Sequence, residues 1–169
     1  PKIRAQIPAA ELHIYGAYAP KEVSALHNPS AGIHTLGHAP DQFTCLRKYR
    51  VNLAPLRFGA GVKGKIADSW YCGTPSVSTN IGAEGMRLGE NWGGLLGESA
   101  EELAHAAVTL YQEKNIWEKT QRQGLEILAQ LFSFEKNTQD LVKHLLELKE
   151  NLNSRRQQNF IGNMLWHHQ

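Results

Sequence analysis

An α/β, Rossmann-like, three-layer domain, with a parallel sheet between helices, is what this sequence predicts. Three observations carry that reading. Short apolar runs alternate with helix-like stretches up to about residue 98. A glycine-rich turn, Gly59-Ala60-Gly61-Val62-Lys63-Gly64, joins one such run to a helix. From Ser99 onward the texture becomes helical only, which adds extra C-terminal helices to the alternating part.

Each element has its own signal. Pro1 to Gly16 reads as a helix end running into a strand, Glu11 to Gly16. A chain that opens in this way is expected to be part of a longer protein. Pro20 opens a short helix carrying Val23 and Leu26. Gly32 to Leu36 is a second strand, Asp41 to Arg50 a helix, and Val51 to Leu56 a buried strand. A helix from about Lys63 to Tyr71 follows, then strands at Pro75 to Thr79 and Gly94 to Leu96. Ser99 with Glu102 forms a capping box ahead of the stripe Leu103, Ala106, Ala107, Leu110. Further helices are expected over Ile116–Leu131, Phe134–Glu150 and Ser154–His168, the last with Phe160, Ile161, Met164 and Leu165 on one face. The division expected is a nucleotide-binding domain over residues 1–150 and a terminal helix over 151–169.

Bulk properties narrow the function. The 169 residues are 41% hydrophobic, enough for one substantial core. A net charge of +2 gives no reason to expect a nucleic-acid partner. Only Cys45 and Cys72 are present, outside any metal or disulfide spacing, so a reduced, cytoplasmic setting is expected. No run approaches the 18 or so apolar residues of a membrane span.

The chemistry concentrates between Pro55 and Gly85. Helix-start N–H groups, flexible glycines and the ammonium groups of Lys63 and Lys65 suit an anion, and a diphosphate is the natural candidate. Gly59, Gly61 and Gly64 also satisfy the dinucleotide pattern G-x-G-x-x-G, with Glu84 20 residues after Gly64. That pattern belongs to the first strand–helix turn of its domain, whereas two strand–helix units precede it here. A third reading holds that the glycines only allow close strand-to-helix packing.

Residues 51 to 86, VNLAPLRFGAGVKGKIADSWYCGTPSVSTNIGAEGM, resemble the nucleotide-sugar-binding segment of retaining glycosyltransferases of family 4, the group 1 glycosyltransferases. The matching features are the strand ending in proline, the glycine loop, the C-G-x-P helix end and the I-G-A-E-G that follows the next strand. Flanking pieces agree, including Glu11–Gly16, Gly93–Leu96 and the Phe132-Ser133-Phe134-Glu135 run. The resemblance implies the C-terminal, donor-binding half of a GT-B architecture, in which two Rossmann-like domains face a cleft.

Carried over by position, the resemblance places a nucleotide diphosphate sugar against Gly59, Ala60, Gly61, Val62, Lys63, Lys65, Asp68 and Glu84. Asp68 stands at the second acid of an E-x7-E pair, where the carboxylate accepts hydrogen bonds from ribose hydroxyls. Ala60 replaces the first acid, which leaves the loop amides around Gly59 to Val62 to hold the transferred sugar. The nucleotide sugar is the substrate, and no cofactor is expected. The upstream Arg and Lys, the catalytic histidine of the N-terminal domain and the acceptor site fall outside this chain. The chain by itself is therefore expected to lack transfer activity, and none of its residues is assigned as catalytic. A position at the cytoplasmic face of the membrane stays open, as does a non-catalytic nucleotide-sugar-binding role. The acceptor is not indicated.

The histidines do not suggest a metal. His34 and His38 are separated by Gly37, and His167-His168 is a terminal pair, so no ligand set is expected. Cys72 reads as a core thiol, and Trp70 and Tyr71 as packing residues.

Overall fold

Hydrophobic alternation decides where the strands lie, and parallel pairing decides what they build. The computed structural model describes residues 1–166. Strands β1 (Leu12–Tyr15) and β2 (Ile33–Gly37) pair in parallel, with His13 opposite His34. Strands β3 (Asn52–Ala54), β4 (Ser76–Ser78) and β5 (Gly94–Leu96) form a second parallel ladder in that order. The short helix α1 (Lys21–Ser24) and a 3-10 turn (Pro29–Ala31) connect the first pair. Helix α2 (Gln42–Leu46) enters the second ladder, and α3 (Gly64–Tyr71) and the turn α4 (Asn80–Ala83) lie within it.

The α/β, Rossmann-like class is thus observed, with the parallel ladder in two pieces. An apolar cavity of about 600 Å³ separates them, lined by Leu12 and Ile33 on one side and by Val51 and Leu53 on the other. It leaves β1 and β3 each with a free edge.

Alternation along β4 places helices on both faces. Val77 packs on Ala106, Ala107 and Leu110 of α5 (Ala100–Gln112). On the opposite face Ser76 Oγ lies 3.4 Å from Ser69 Oγ of α3. Burying a large apolar side chain such as Leu110 or Ile66 stabilises the fold by roughly 1.5–3 kcal/mol. Beneath α3, the fully buried Trp70 donates its indole N–H to the Gly93 carbonyl at 2.7 Å. Its ring meets that of Trp92 edge to face, with centroids 4.8 Å apart. Gly124 of α6 (Lys114–Leu131) completes this contact, because a Cβ there would stand 2.9 Å from the Trp70 ring.

The chain divides into two compact units, Pro1–Leu131 and the remainder from Phe132. The second contains α7 (Phe134–Glu150), α8 (Leu152–Gln158) and α9 (Phe160–Trp166). The single terminal helix expected over Ser154–His168 is instead broken at Asn159, whose side chain accepts the Gly162 N–H at 3.0 Å and so starts a new helix. The Phe160 side chain and the pair His167-His168 lie outside the described residues. Among the described residues, no helix is long and apolar enough to cross a membrane.

Candidate functional site

Parallel strands deliver their carboxyl ends to one edge, and in open α/β sheets ligands bind beyond it. Ala54, Ser78 and Leu96 end β3, β4 and β5 at that edge. Three connections leave it, and hydrogen bonds join them.

The first connection is the glycine loop. Gly59 (φ +150°) and Gly61 (φ +70°) hold backbone angles that side chains with a Cβ rarely adopt. Packing does not explain them. A Cβ at Gly61 or Gly64 would meet nothing within 4 Å, and one at Gly59 only the Lys63 Cε at 4.0 Å. Phe58 and Val62 are exposed on the same loop. Helix α3 then starts at Lys63 with no side-chain cap. The Ile66 and Ala67 amides donate to the Lys63 carbonyl, which leaves those of Gly64 and Lys65 as terminal donors.

Lys63 ties this loop to the second connection. Its amide donates to Met86 Sδ at 3.2 Å, and its ammonium to the Glu84 carbonyl at 3.5 Å. Thr79 accepts the Gly82 amide and donates to the Leu56 carbonyl at 2.6 Å, fixing the start of α4 against the loop. The third connection joins through Glu98, whose Oε1 accepts the Asn80 amide at 2.7 Å. The Arg87 guanidinium donates to Asn80 Oδ1.

Asp68 sits one turn into α3, where Gln42 Nε2 donates to its Oδ2 at 3.4 Å. Cys72 at the helix end has its thiol pushed up by burial and donates to the Phe43 carbonyl at 3.5 Å. A thiol held protonated in this way is a packing group, as its sequence context suggests.

The structure therefore brings Gly59, Ala60, Gly61, Val62 and Lys63 together on one loop and links Lys63 to the Glu84 segment. Lys65 and Asp68 lie on the helix that follows, with Asp68 held toward α2. Gln42, Asn80 and Arg87 were not among the residues singled out by sequence. Arg87 follows the glycine-containing run at 82–86, a basic residue beside a loop, and is the one a charge scan would have found.

The family model for group 1 glycosyl transferases matches residues 1–113. The chain belongs to that family. No curated protein sequence matches it. Among solved structures, this glycosyltransferase chain is similar to the pneumococcal O-GlcNAc transferase GtfA, crystallised in complex with UDP and GlcNAc. The TM-score is 0.54 at 19% identity, over 83% of this chain and 31% of that one. At this identity the likeness concerns the fold. The glycosyltransferase chain spans less than a third of that neighbour's length.

Chemically, the edge of this group 1 family chain is suited to an anion. The free amides and dipole at a helix N-terminus stabilise a negative charge by roughly 0.3–1 kcal/mol at a surface, and up to about 2 kcal/mol when partly buried. Lys63, with its ammonium 3.5 Å from the Glu84 carbonyl, and Arg87, bonded to Asn80, supply cations around it.

Proposed function

We propose that this chain is the donor-binding C-terminal half of a retaining, family 4 glycosyltransferase with GT-B architecture. In that reading it holds a nucleotide diphosphate sugar for transfer by a protein that also carries an N-terminal domain. The observation that carries the proposal is the uncapped start of α3, preceded by a loop whose glycines are required by backbone angle and by nothing that packs on them. The O-GlcNAc transferase it resembles in fold was crystallised with UDP and GlcNAc, which supports a nucleotide sugar as donor.

Each residue then has a role. The Gly64 and Lys65 amides, with Lys63 and Lys65, hold the diphosphate and stabilise the charge it gains as the leaving group. Asp68 accepts from the ribose hydroxyls through Oδ1, while Gln42 occupies Oδ2. Glu84 borders the sugar, and the amides from Gly59 to Val62 take the place of the carboxylate that Ala60 lacks. One feature favours a second reading. Ala60 removes an acid near the transferred sugar, as in a domain that binds the donor without turning it over.

Melting curves with UDP, GDP, ADP and NAD test the proposal. Ligand at 100 times its dissociation constant adds about 2.7 kcal/mol. For a chain of this size that is a rise of several degrees, at roughly 2–4 °C per kcal/mol. One nucleoside diphosphate is expected to raise the midpoint, and Asp68→Ala to remove the effect. A response to NAD alone would overturn the donor reading. Turnover by the longer protein separates enzyme from non-catalytic binder.

A further inference from the structure

A cluster that the donor reading leaves unused lies on the first sheet. Side chains two apart on a strand share a face, so Glu11 and His13 project together. Parallel pairing sets His34 beside His13, and the two imidazoles meet edge to face with centroids 5.1 Å apart. The Glu11 carboxylate reaches both rings. Its Oε2 lies 3.0 Å from His13 Nε2, and its Oε1 3.8 Å from His34 Nε2. One ligand atom from each residue lies within 4.8 Å of the other two.

Two further features separate this cluster from a plain surface contact. His34 Nε2 is shut off from solvent and has no hydrogen-bond partner. A buried nitrogen left in that state calls for an explanation. The other nitrogen of His13, Nδ1, lies 2.7 Å from the Tyr49 hydroxyl, which in turn lies 2.9 Å from that of Tyr15. Imidazoles that bind metals characteristically have such an outer partner, which fixes the ring and its tautomer.

We propose that Glu11, His13 and His34 bind one divalent cation of the zinc class. Ligand atoms about 2.0–2.2 Å from a tetrahedral zinc stand roughly 3.4 Å apart. Glu11 approaches the two rings through different oxygens, at 3.0 and 3.8 Å, and one ligand atom from each residue lies within 4.8 Å of the other two, so small side-chain rotations close the set on an ion. Imidazole with carboxylate suits zinc better than calcium or magnesium, which prefer oxygen alone. Glu11 is exposed and provides the entry path, leaving the fourth position to water. The ion would cross-link β1 to β2, a two-stranded pair of the kind that is marginal without support. None of these residues belongs to the proposed donor segment, so the two readings stand or fall separately.

Cobalt titration of the chelator-treated 169-residue chain tests the site, on a His167→Ala, His168→Ala background that removes the terminal pair. The expected result is one Co²⁺ per chain with the intense visible bands of tetrahedral cobalt, bleached by Zn²⁺. Glu11→Gln, an exposed change compatible with the fold, should weaken binding at least tenfold. His34→Gln should abolish the bands, and Tyr49→Phe should weaken binding roughly 10–100-fold through the outer shell. Faint octahedral bands, or equal binding by the parent chain and Glu11→Gln, would overturn the proposal.

Discussion

Gly82 has no room for a methyl group: a Cβ there would stand 1.9 Å from Ser78 Oγ and 3.5 Å from Leu56 Cδ1. Gly82→Ala should therefore cost about 1–3 kcal/mol by overpacking, read as a lower urea midpoint at unchanged slope. At Trp70 the ring fills space and the indole N–H gives the Gly93 carbonyl a second donor beside the Ser76 amide. Trp70→Phe should cost about 1–3 kcal/mol, from the ring volume lost in the core and the hydrogen bond removed, although the Gly93 carbonyl keeps the Ser76 N–H at 2.9 Å. Residue-scale legibility was uneven for a physical reason. Asp68 and the loop glycines could be singled out because local motifs contain them. The partnership of Gln42 with Asp68 could not, because 26 residues separate them and only the packing of α2 beside α3 brings them together. Glu11, His13 and His34 met the same obstacle, since strand register is not written in either strand alone.

Helices announced themselves through their caps. Ser99 accepts the Glu102 amide at 3.1 Å, and the Glu102 carboxylate returns to the Glu98 amide at 2.7 Å. Ser99→Ala should cost about 1 kcal/mol in thermal unfolding. Asp41 caps α2 by accepting the Thr44 amide, and this bond holds its carboxyl below the usual range. A depressed carboxyl contributes stability above its unfolded value, and that contribution disappears as pH falls through the lower folded value. Asp41→Asn, which keeps a capping oxygen, should flatten the acid limb of the stability profile below about pH 4. The break at Asn159 was not legible from the apolar stripe, because Phe160, Ile161, Met164 and Leu165 all follow it and the polar run from Asn153 to Asn159 carries no period; the side-chain cap at Asn159 starts the second helix. In α7 Leu141, Val142, Leu145 and Leu146 recur at helical spacing, and all four are exposed. Leu141→Glu with Leu145→Glu should lower any self-association seen by sedimentation.

At the scale of the molecule, the alternation of strands and helices was enough to give the fold class, because each parallel strand needs a covering crossover. That the ladder would part between β1 and β3 was not, since free edges depend on which strands meet. The unit Pro1–Leu131 holds the buried core residues of the chain's α/β layers, including Val77, Leu110 and Ile127. A chain ending at Leu131 should therefore melt cooperatively and keep its nucleoside diphosphate response in the same thermal assay. The paired indoles of Trp70 and Trp92 supply a ready readout for that comparison. Two chromophores 4.8 Å apart at an interplanar angle of 78° are coupled electronically and locked in a chiral setting. The near-ultraviolet circular dichroism of this protein should carry their signature, and its disappearance would report the loosening of α3, with the loop it supports, before overall helicity falls.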